Sequence, residues 1–284
     1  MLIFEKGLNL KELSVEEVRK IQLELLSFID KVCRENKIEY SLAGGSLLGS
    51  QRHKGFIPWD GDIDIMLRRD YYEQLMMLLT DSNGVYKLHY YKNDIVYQNY
   101  AKFYDNRTVL KSFKDQMYNK RIGVHIDIFP QDFLPDEIKE RRRFLKEVFN
   151  LSEALVSTGF PAYISGTKWY YQFARIFLRF PLFIKYHGKN RMIAEEMDKL
   201  MQNYYGNYTK ELGFLSSKYF TKEHFPKEIF ETYEDVPFEN LTVRKIKQHE
   251  LYLKQLFGNY MQLPPKKERV DHEFYKWFWK EGKL

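Results

Sequence analysis

Asp60, Asp62 and Asp64 stand at alternate positions within GGSLLGSQRHKGFIPWDGDIDIMLRRD, residues 44–70. On an extended strand alternate side chains share a face. Asp62 and Asp64 then point the same way, Asp60 joins them at the strand mouth, and Ile63 and Ile65 turn into the core. Like charges this close repel, and without a cation at least one carboxylate tends to keep its proton. A divalent ion removes that penalty, and hard oxygen ligands suit Mg2+ or Mn2+. An Asp-x-Asp pair alone is as readily a solvated acidic loop. Interleaved isoleucines and a glycine turn just ahead argue for a built site here. His125-Ile126-Asp127-Ile128-Phe129 repeats the alternation. Asp127 would complete a metal-binding face with Asp62 and Asp64; taken alone, it would equally suit an exposed sheet edge.

Two groups of residues suggest anion binding. Gly44, Gly45 and Ser46 make a turn whose backbone N–H groups can approach a phosphate closely, with a helix N-terminus following. Arg52, His53 and Lys54 lie between that turn and the acids, where they could bind phosphates or stabilise transition-state charge; a solvated helix end is the plain alternative. Lys102 is a further phosphate candidate, with Asp105 and Arg107 nearby.

The elements that must position these residues follow from periodicity. Ser14–Lys37 reads as an amphipathic helix, with Ser14 and Glu17 as a capping box and Val18, Ile21, Leu25, Ile29 and Val32 as the buried stripe. Strands are expected at Glu39–Ala43, Asp62–Leu67, Tyr86–Tyr91, Tyr97–Tyr104 and Val124–Phe129, and helices at Ser46–His53 and Tyr71–Leu79. Further helices are expected at Asp136–Ser157, Lys168–Phe183, Asn190–Tyr205 and Lys245–Phe257, with a loop-like stretch holding short strands at Tyr219–Phe238. The fold class is α+β: a mixed sheet with flanking helices over residues 1–135, followed by a mainly helical region, 136–284, packed on that core.

Composition narrows the class. The chain has 284 residues, 44% hydrophobic and 30% charged, enough to bury a core without disulfides. The lone cysteine, Cys33, excludes an internal disulfide and any CxxC metal site, and fits a reducing cytoplasm. The start, MLIFEKGLNLKEL, lacks the layout of a secretion signal, and no run of about 18 apolar residues predicts a membrane span. A net charge of +6 suits phosphate-rich partners, but no nucleic-acid module is recognisable and none is expected to bind.

Three segments carry a family resemblance. GGSLLGSQRHKGFIPWDGDID resembles the LicD signature, HIDIFPQDFLP the family's later Ile-Asp-Ile-Phe-Pro segment, and LFGNYMQLPPKKERVDH its C-terminal pattern; together they run from about residue 35 to His272. Gly61 departs from the pattern, where most members carry Asp, but its strand parity is opposite to that of Asp60, Asp62 and Asp64. The resemblance implies a nucleotidyltransferase-like fold. It also implies transfer of phosphocholine, or a related phospho-alcohol, from CDP-choline or another CDP-alcohol to a cell-surface glycan such as a teichoic acid or lipopolysaccharide precursor. Asp62, Asp64 and Asp127 would be catalytic metal ligands, with Asp60 beside them, and Gly45 and Ser46 would hold donor phosphate. CMP would leave by in-line displacement, Asp127 would help deprotonate the acceptor, and no covalent enzyme intermediate would form. Trp59, Tyr97, Tyr100 and Tyr104 are candidates for holding a quaternary ammonium. The competing readings are transfer of NMP from an NTP to a small acceptor, and a non-catalytic basic module binding anionic polymer.

Residues 168–191 are dense in aromatics and hold no acid. A core helix with Arg175 and Arg179 reaching to solvent is one reading. A helix lying on an anionic membrane face is the other, and it would place the enzyme at the inner face of the membrane near a lipid-linked acceptor.

Overall fold

A computed structural model describes residues 10–80, 84–110, 122–159, 169–206, 209–217, 219, 222–265, 269 and 276–280. In chain order the first half holds α1 (Val15–Glu35), β1 (Ser41–Leu42), α2 (Gly44–Arg52), β2 (Asp64–Arg68), α3 (Arg69–Thr80), β3 (Tyr86–His89), β4 (Ala101–Asp105), β5 (Thr108–Leu110) and β6 (His125–Leu134). Three helices follow: α4 (Ile138–Val156), α5 (Trp169–Tyr186) and α6 (Asn190–Met201). The chain then returns to strands with β7 (Glu211–Gly213), β8 (Phe225–Pro226), β9 (Tyr233–Phe238) and β10 (Leu241–Ile246), and continues through α7 (His249–Phe257) to β11 (Trp277–Trp279).

The α1 capping box forms as expected: Ser14 Oγ accepts from the Glu17 N–H at 3.2 Å, and the Glu17 carboxylate accepts from the Ser14 N–H at 2.8 Å. Ile21, Leu25, Leu26, Ile29 and Cys33 form its buried stripe. Val18 and Val32 pack against that core from its edge. The main sheet has the order β1-β2-β6-β4-β3, with β7 on the far half of β6 and β8 on β7. β2 and β6 run parallel, and the other pairs run antiparallel. The sheet therefore crosses residue 135, and Leu212, Phe225, Val236, Phe238 and Leu253 lie in the same core as Leu25 and Ile65. A smaller core joins α4 to α6 through Phe144, Val148, Ile193 and Met197.

Several boundaries differ from those the sequence suggests. β2 begins at Asp64 rather than Asp62. A turn closed by the Asp60 N–H on the Ile57 carbonyl precedes it, and Gln22 caps the Gly61 carbonyl at 2.8 Å. α2 starts two residues early, at Gly44, whose φ of +46° is reached readily only by glycine. β4 runs over Ala101–Asp105, starting later than the expected Tyr97 and ending one residue beyond Tyr104. Lys245 belongs to β10, not to the following helix; its ammonium is buried against Glu234, and the apolar period there is two. α5 holds Pro181 in its interior and continues past the expected Phe183 to Tyr186. Among the described residues no helix is long and apolar enough to cross a membrane.

One buried ion network ties the site-bearing sheet to the helices. Arg69, at the start of α3, donates twice to Asp132 of β6, at 2.7 and 2.5 Å. It also reaches Glu73 at 3.2 Å and Asp198 of α6 at 3.0 Å. Arg69 and Asp132 are both almost fully buried. Removing one partner of such a pair strands a charge at a cost of about 3–5 kcal/mol, whereas an apolar pair of similar volume is tolerated. Asp132→Asn is expected to lower the unfolding free energy read by urea denaturation by that order, and Arg69→Met with Asp132→Leu to recover most of the loss.

Candidate active site

The parallel register of β2 and β6 sets Asp64 directly opposite Asp127. Ile63, Ile65, Ile126 and Ile128 are fully buried on the other face, as the alternation requires. Asp62 is exposed at the entrance of β2, and Asp60 is half-buried in the turn before it.

Gly45 is explained by these acids, and Gly44 by its positive φ. A Cβ on Gly45 would stand 2.5 Å from Asp60 Oδ2, and one on Gly44 would stand 3.7 Å from Asp64 Oδ2. Two carboxylates thus lie against the first turn of α2, whose dipole favours negative charge. Ser46 Oγ accepts from the Asp64 N–H at 2.8 Å, clamping helix to strand. The Gly44 N–H donates to Tyr252 Oη at 3.3 Å, and Tyr252 donates to Glu223 at 3.4 Å. Of the residues expected to cradle phosphate, Gly44 and Ser46 therefore also hold the helix in place.

Burial, followed by the charges of Asp62, Asp127 and Asp60, pushes the Asp64 carboxyl well above the usual carboxylate range; Lys102 opposes the shift. Lys102 is the local cation. Its ammonium donates to Asp127 Oδ1 at 2.5 Å, lies 3.0 Å from His125 Nε2, and sits 5.1 Å from the centre of the Tyr100 ring. Burial and then Lys102 push His125 down to about 4, so the imidazole is neutral at pH 7. His125 Nδ1 lies 3.1 Å from the Gly123 carbonyl. That acceptor places the ring proton on Nδ1 and leaves Nε2 to accept from Lys102.

Among the described residues no three His, Cys, Asp or Glu side chains close on a common point that would hold an ion. The donor chemistry nevertheless fits a hard divalent cation: four carboxylates, one of which is disfavoured from ionising by its neighbours. As the side chains stand, Lys102 supplies the positive charge on the Asp127 side.

The basic residues gather around Trp59. Arg52 donates to the Tyr260 carbonyl at 2.8 Å, and its guanidinium lies 5.9 Å from the Trp59 ring centre; that of Arg269 lies at 5.0 Å. His53 meets Trp59 edge-on at 6.0 Å. Burial and then Arg269 lower Arg52, while burial and then Arg52 lower His53. Lys54 is exposed in a left-handed turn, and its carbonyl accepts from the Glu239 N–H. Arg107 is committed elsewhere: it donates to the buried Asp105 carboxylate through both Nε and Nη2. Tyr100 packs with Phe129 and Phe214, with ring centres 4.9 and 5.8 Å away. Tyr104 is buried.

Sequence reasoning singled out the acids, Lys102 and Arg52 but not His125, Arg269, Tyr252 or Glu223. His125 begins the Asp127 strand and shares its face, which was a usable signal. Arg269 lies within the third family-like segment; His272 of that segment lies outside the described residues. Glu223 carried no local signature.

Glu223 generates a measurable pH dependence. Burial raises its carboxyl from 4.5 to about 7. The folded chain therefore holds a proton that the unfolded chain releases, so the associated stability is present below about pH 4.5 and lost as pH rises through about 7. Glu223→Gln removes this titration. Its stability relative to the parent is expected to improve by about 3 kcal/mol between pH 4.5 and pH 8, read by urea denaturation at each pH.

Comparison with known proteins adds sequence similarity to this geometry. Residues 37–153 match the model of the LicD/FKTN/FKRP nucleotidyltransferase domain, and that span holds the four acids, Arg52, His53, Lys102 and His125. The chain is 29% identical over 279 residues to the lipopolysaccharide cholinephosphotransferase LicD of Haemophilus influenzae, across 93% of this chain and 97% of that one. Residues 37–153, with their carboxylate pair on adjoining parallel strands, thus match a LicD-type nucleotidyltransferase domain, and the chain is similar end to end to a cholinephosphotransferase.

Proposed function

We propose that this enzyme transfers phosphocholine, or a closely related phospho-alcohol, from a CDP-activated donor to a hydroxyl of a cell-surface glycan and releases CMP. The observation that carries the reading is the Asp64–Asp127 face beside a basic cluster, in a chain similar over almost its whole length to a lipopolysaccharide cholinephosphotransferase. A lipopolysaccharide or teichoic acid precursor would serve as acceptor. A CDP-linked donor puts the reaction in the cytoplasm.

The residues divide the work by chemistry. Asp60, Asp62, Asp64 and Asp127 would hold Mg2+ or Mn2+, which supplies charge neutralisation for the diphosphate. Arg52 and Arg269 offer two guanidiniums whose mutual repulsion an incoming diphosphate relieves. Gly45 and the other N–H groups at the head of α2 add donors for the same oxygens. The acceptor hydroxyl attacks the phosphorus that bears choline, and the bond from that phosphorus to the bridging oxygen of CMP breaks. The hydroxyl proton passes to Asp127, whose orientation Lys102 and His125 fix. A trimethylammonium group would lie against Tyr100 and Phe129, on the Asp127 side of the sheet.

Incubation of the enzyme with a panel of CDP-alcohols, Mg2+ and a glycan acceptor tests this directly. CMP release that depends on CDP-choline and acceptor supports the proposal; pyrophosphate release from an NTP instead would assign it to nucleotidyl transfer. Asp64→Asn is expected to reduce kcat by about 10²-fold or more with folding intact. Tyr100→Ala is expected to raise KM for CDP-choline by about 5- to 30-fold, the equivalent of ~1–2 kcal/mol, and to leave KM for CDP-glycerol nearly unchanged.

A further inference from the structure

From Phe177 to its end, helix α5 is built with its polarity reversed. Successive residues step by about 100° around a helix. Phe177, Leu178, Phe180, Pro181, Ile184 and Lys185 thus form one continuous arc. All six face solvent: Phe177 is 76% exposed, Leu178 77%, Ile184 66% and Phe180 49%. The opposite arc carries Arg179, Leu182 and Tyr186. Arg179 does not reach out to solvent, as the sequence allowed; it turns inward to the Glu153 carboxylate of α4 at 2.6 Å. The side chain of Arg175 lies outside the described residues. An ordinary surface helix hides its apolar face and presents its charges. This one anchors itself through a charge and presents phenylalanine, leucine and isoleucine.

Charge identifies the occupant of that face. Residues 169–191 contain Arg175, Arg179, Lys185, Lys189 and Arg191 and neither Asp nor Glu. Lys185 is exposed on that arc, and Lys189 is exposed three residues beyond the end of α5. A second copy docked face to face would set these cations against their own equivalents. An anionic bilayer accepts both features, taking the apolar side chains into its interface and pairing its headgroups with the lysines. We propose that α5 docks this protein on an anionic membrane surface through Phe177, Leu178, Phe180 and Ile184, flanked by Lys185 and Lys189. The inference stands on the helix itself and does not depend on which group the active site transfers. α5 rides on α4, which follows directly from β6, the strand carrying Asp127, so docking would hold the active site at a fixed relation to the bilayer.

Co-sedimentation with vesicles tests the proposal, comparing phosphatidylcholine alone with phosphatidylcholine containing phosphatidylglycerol. The parent protein is expected to partition onto the anionic vesicles and less onto the neutral ones. Phe177→Ser with Ile184→Ser, both at exposed positions, is expected to weaken partitioning by about 10-fold or more, with thermal melting and CMP release in solution unchanged. Lys185→Glu with Lys189→Glu is expected to abolish the preference for anionic lipid. A parent protein left wholly in the supernatant, or a serine variant that partitions like the parent, overturns the proposal. So does a parent dimer, measured by light scattering, that the serine variant converts to monomer without either binding vesicles; that result would assign the face to a second copy.

Discussion

Like charge held together is the constraint around which this site is organised. The parallel pairing of β2 with β6 sets Asp64 opposite Asp127, with Asp60 and Asp62 close enough to disfavour its ionisation further. Such a cluster needs compensation, and the surrounding residues supply it piece by piece. The head of α2 offers a positive dipole, and Gly45 leaves the space that the Asp60 carboxylate takes. Ser46 fixes the helix to the backbone of Asp64, while Tyr252 and Glu223 brace it from behind. Lys102, oriented by a neutral His125, lays an ammonium on Asp127.

The strand β6 serves two purposes along its length. At its start the half-exposed face presents His125, Asp127 and Phe129 to the site. Further on, the opposite face carries Asp132 into the buried network with Arg69, which reaches α6 through Asp198. Two aspartates five residues apart lie on opposite sides of one strand, one half-exposed among the carboxylates of the candidate site and one buried in packing. The position of the carboxylate face is therefore coupled to helices remote from it.

The local parts of this arrangement were legible in the sequence because they depend on short-range periodicity. The α1 capping box, the burial of Ile63 and Ile65, and the alternation around Asp127 all follow from spacing alone. What spacing cannot reveal is which partner a side chain finds across the fold. Lys102 looked like a free phosphate ligand, yet strand pairing places it opposite Asp127. Arg179 looked like a surface charge, yet it meets Glu153 twenty-six positions away. Arg269 and Glu223 join the site from the far end of the chain, and their role depends on a return of the backbone that no local pattern encodes. One short strand was missed for a related reason: β7 holds three residues, too few to show a period.

The central claim is that the carboxylate face takes up a divalent cation. Titration of the purified enzyme with Mn2+, followed by loss of the free-ion EPR signal, tests it without reference to any substrate. The account predicts saturable binding that competes with Mg2+ and is lost when Asp64 and Asp127 are both replaced by Asn. Absence of saturable binding by the folded wild-type enzyme, or binding undiminished in that double variant, would contradict it.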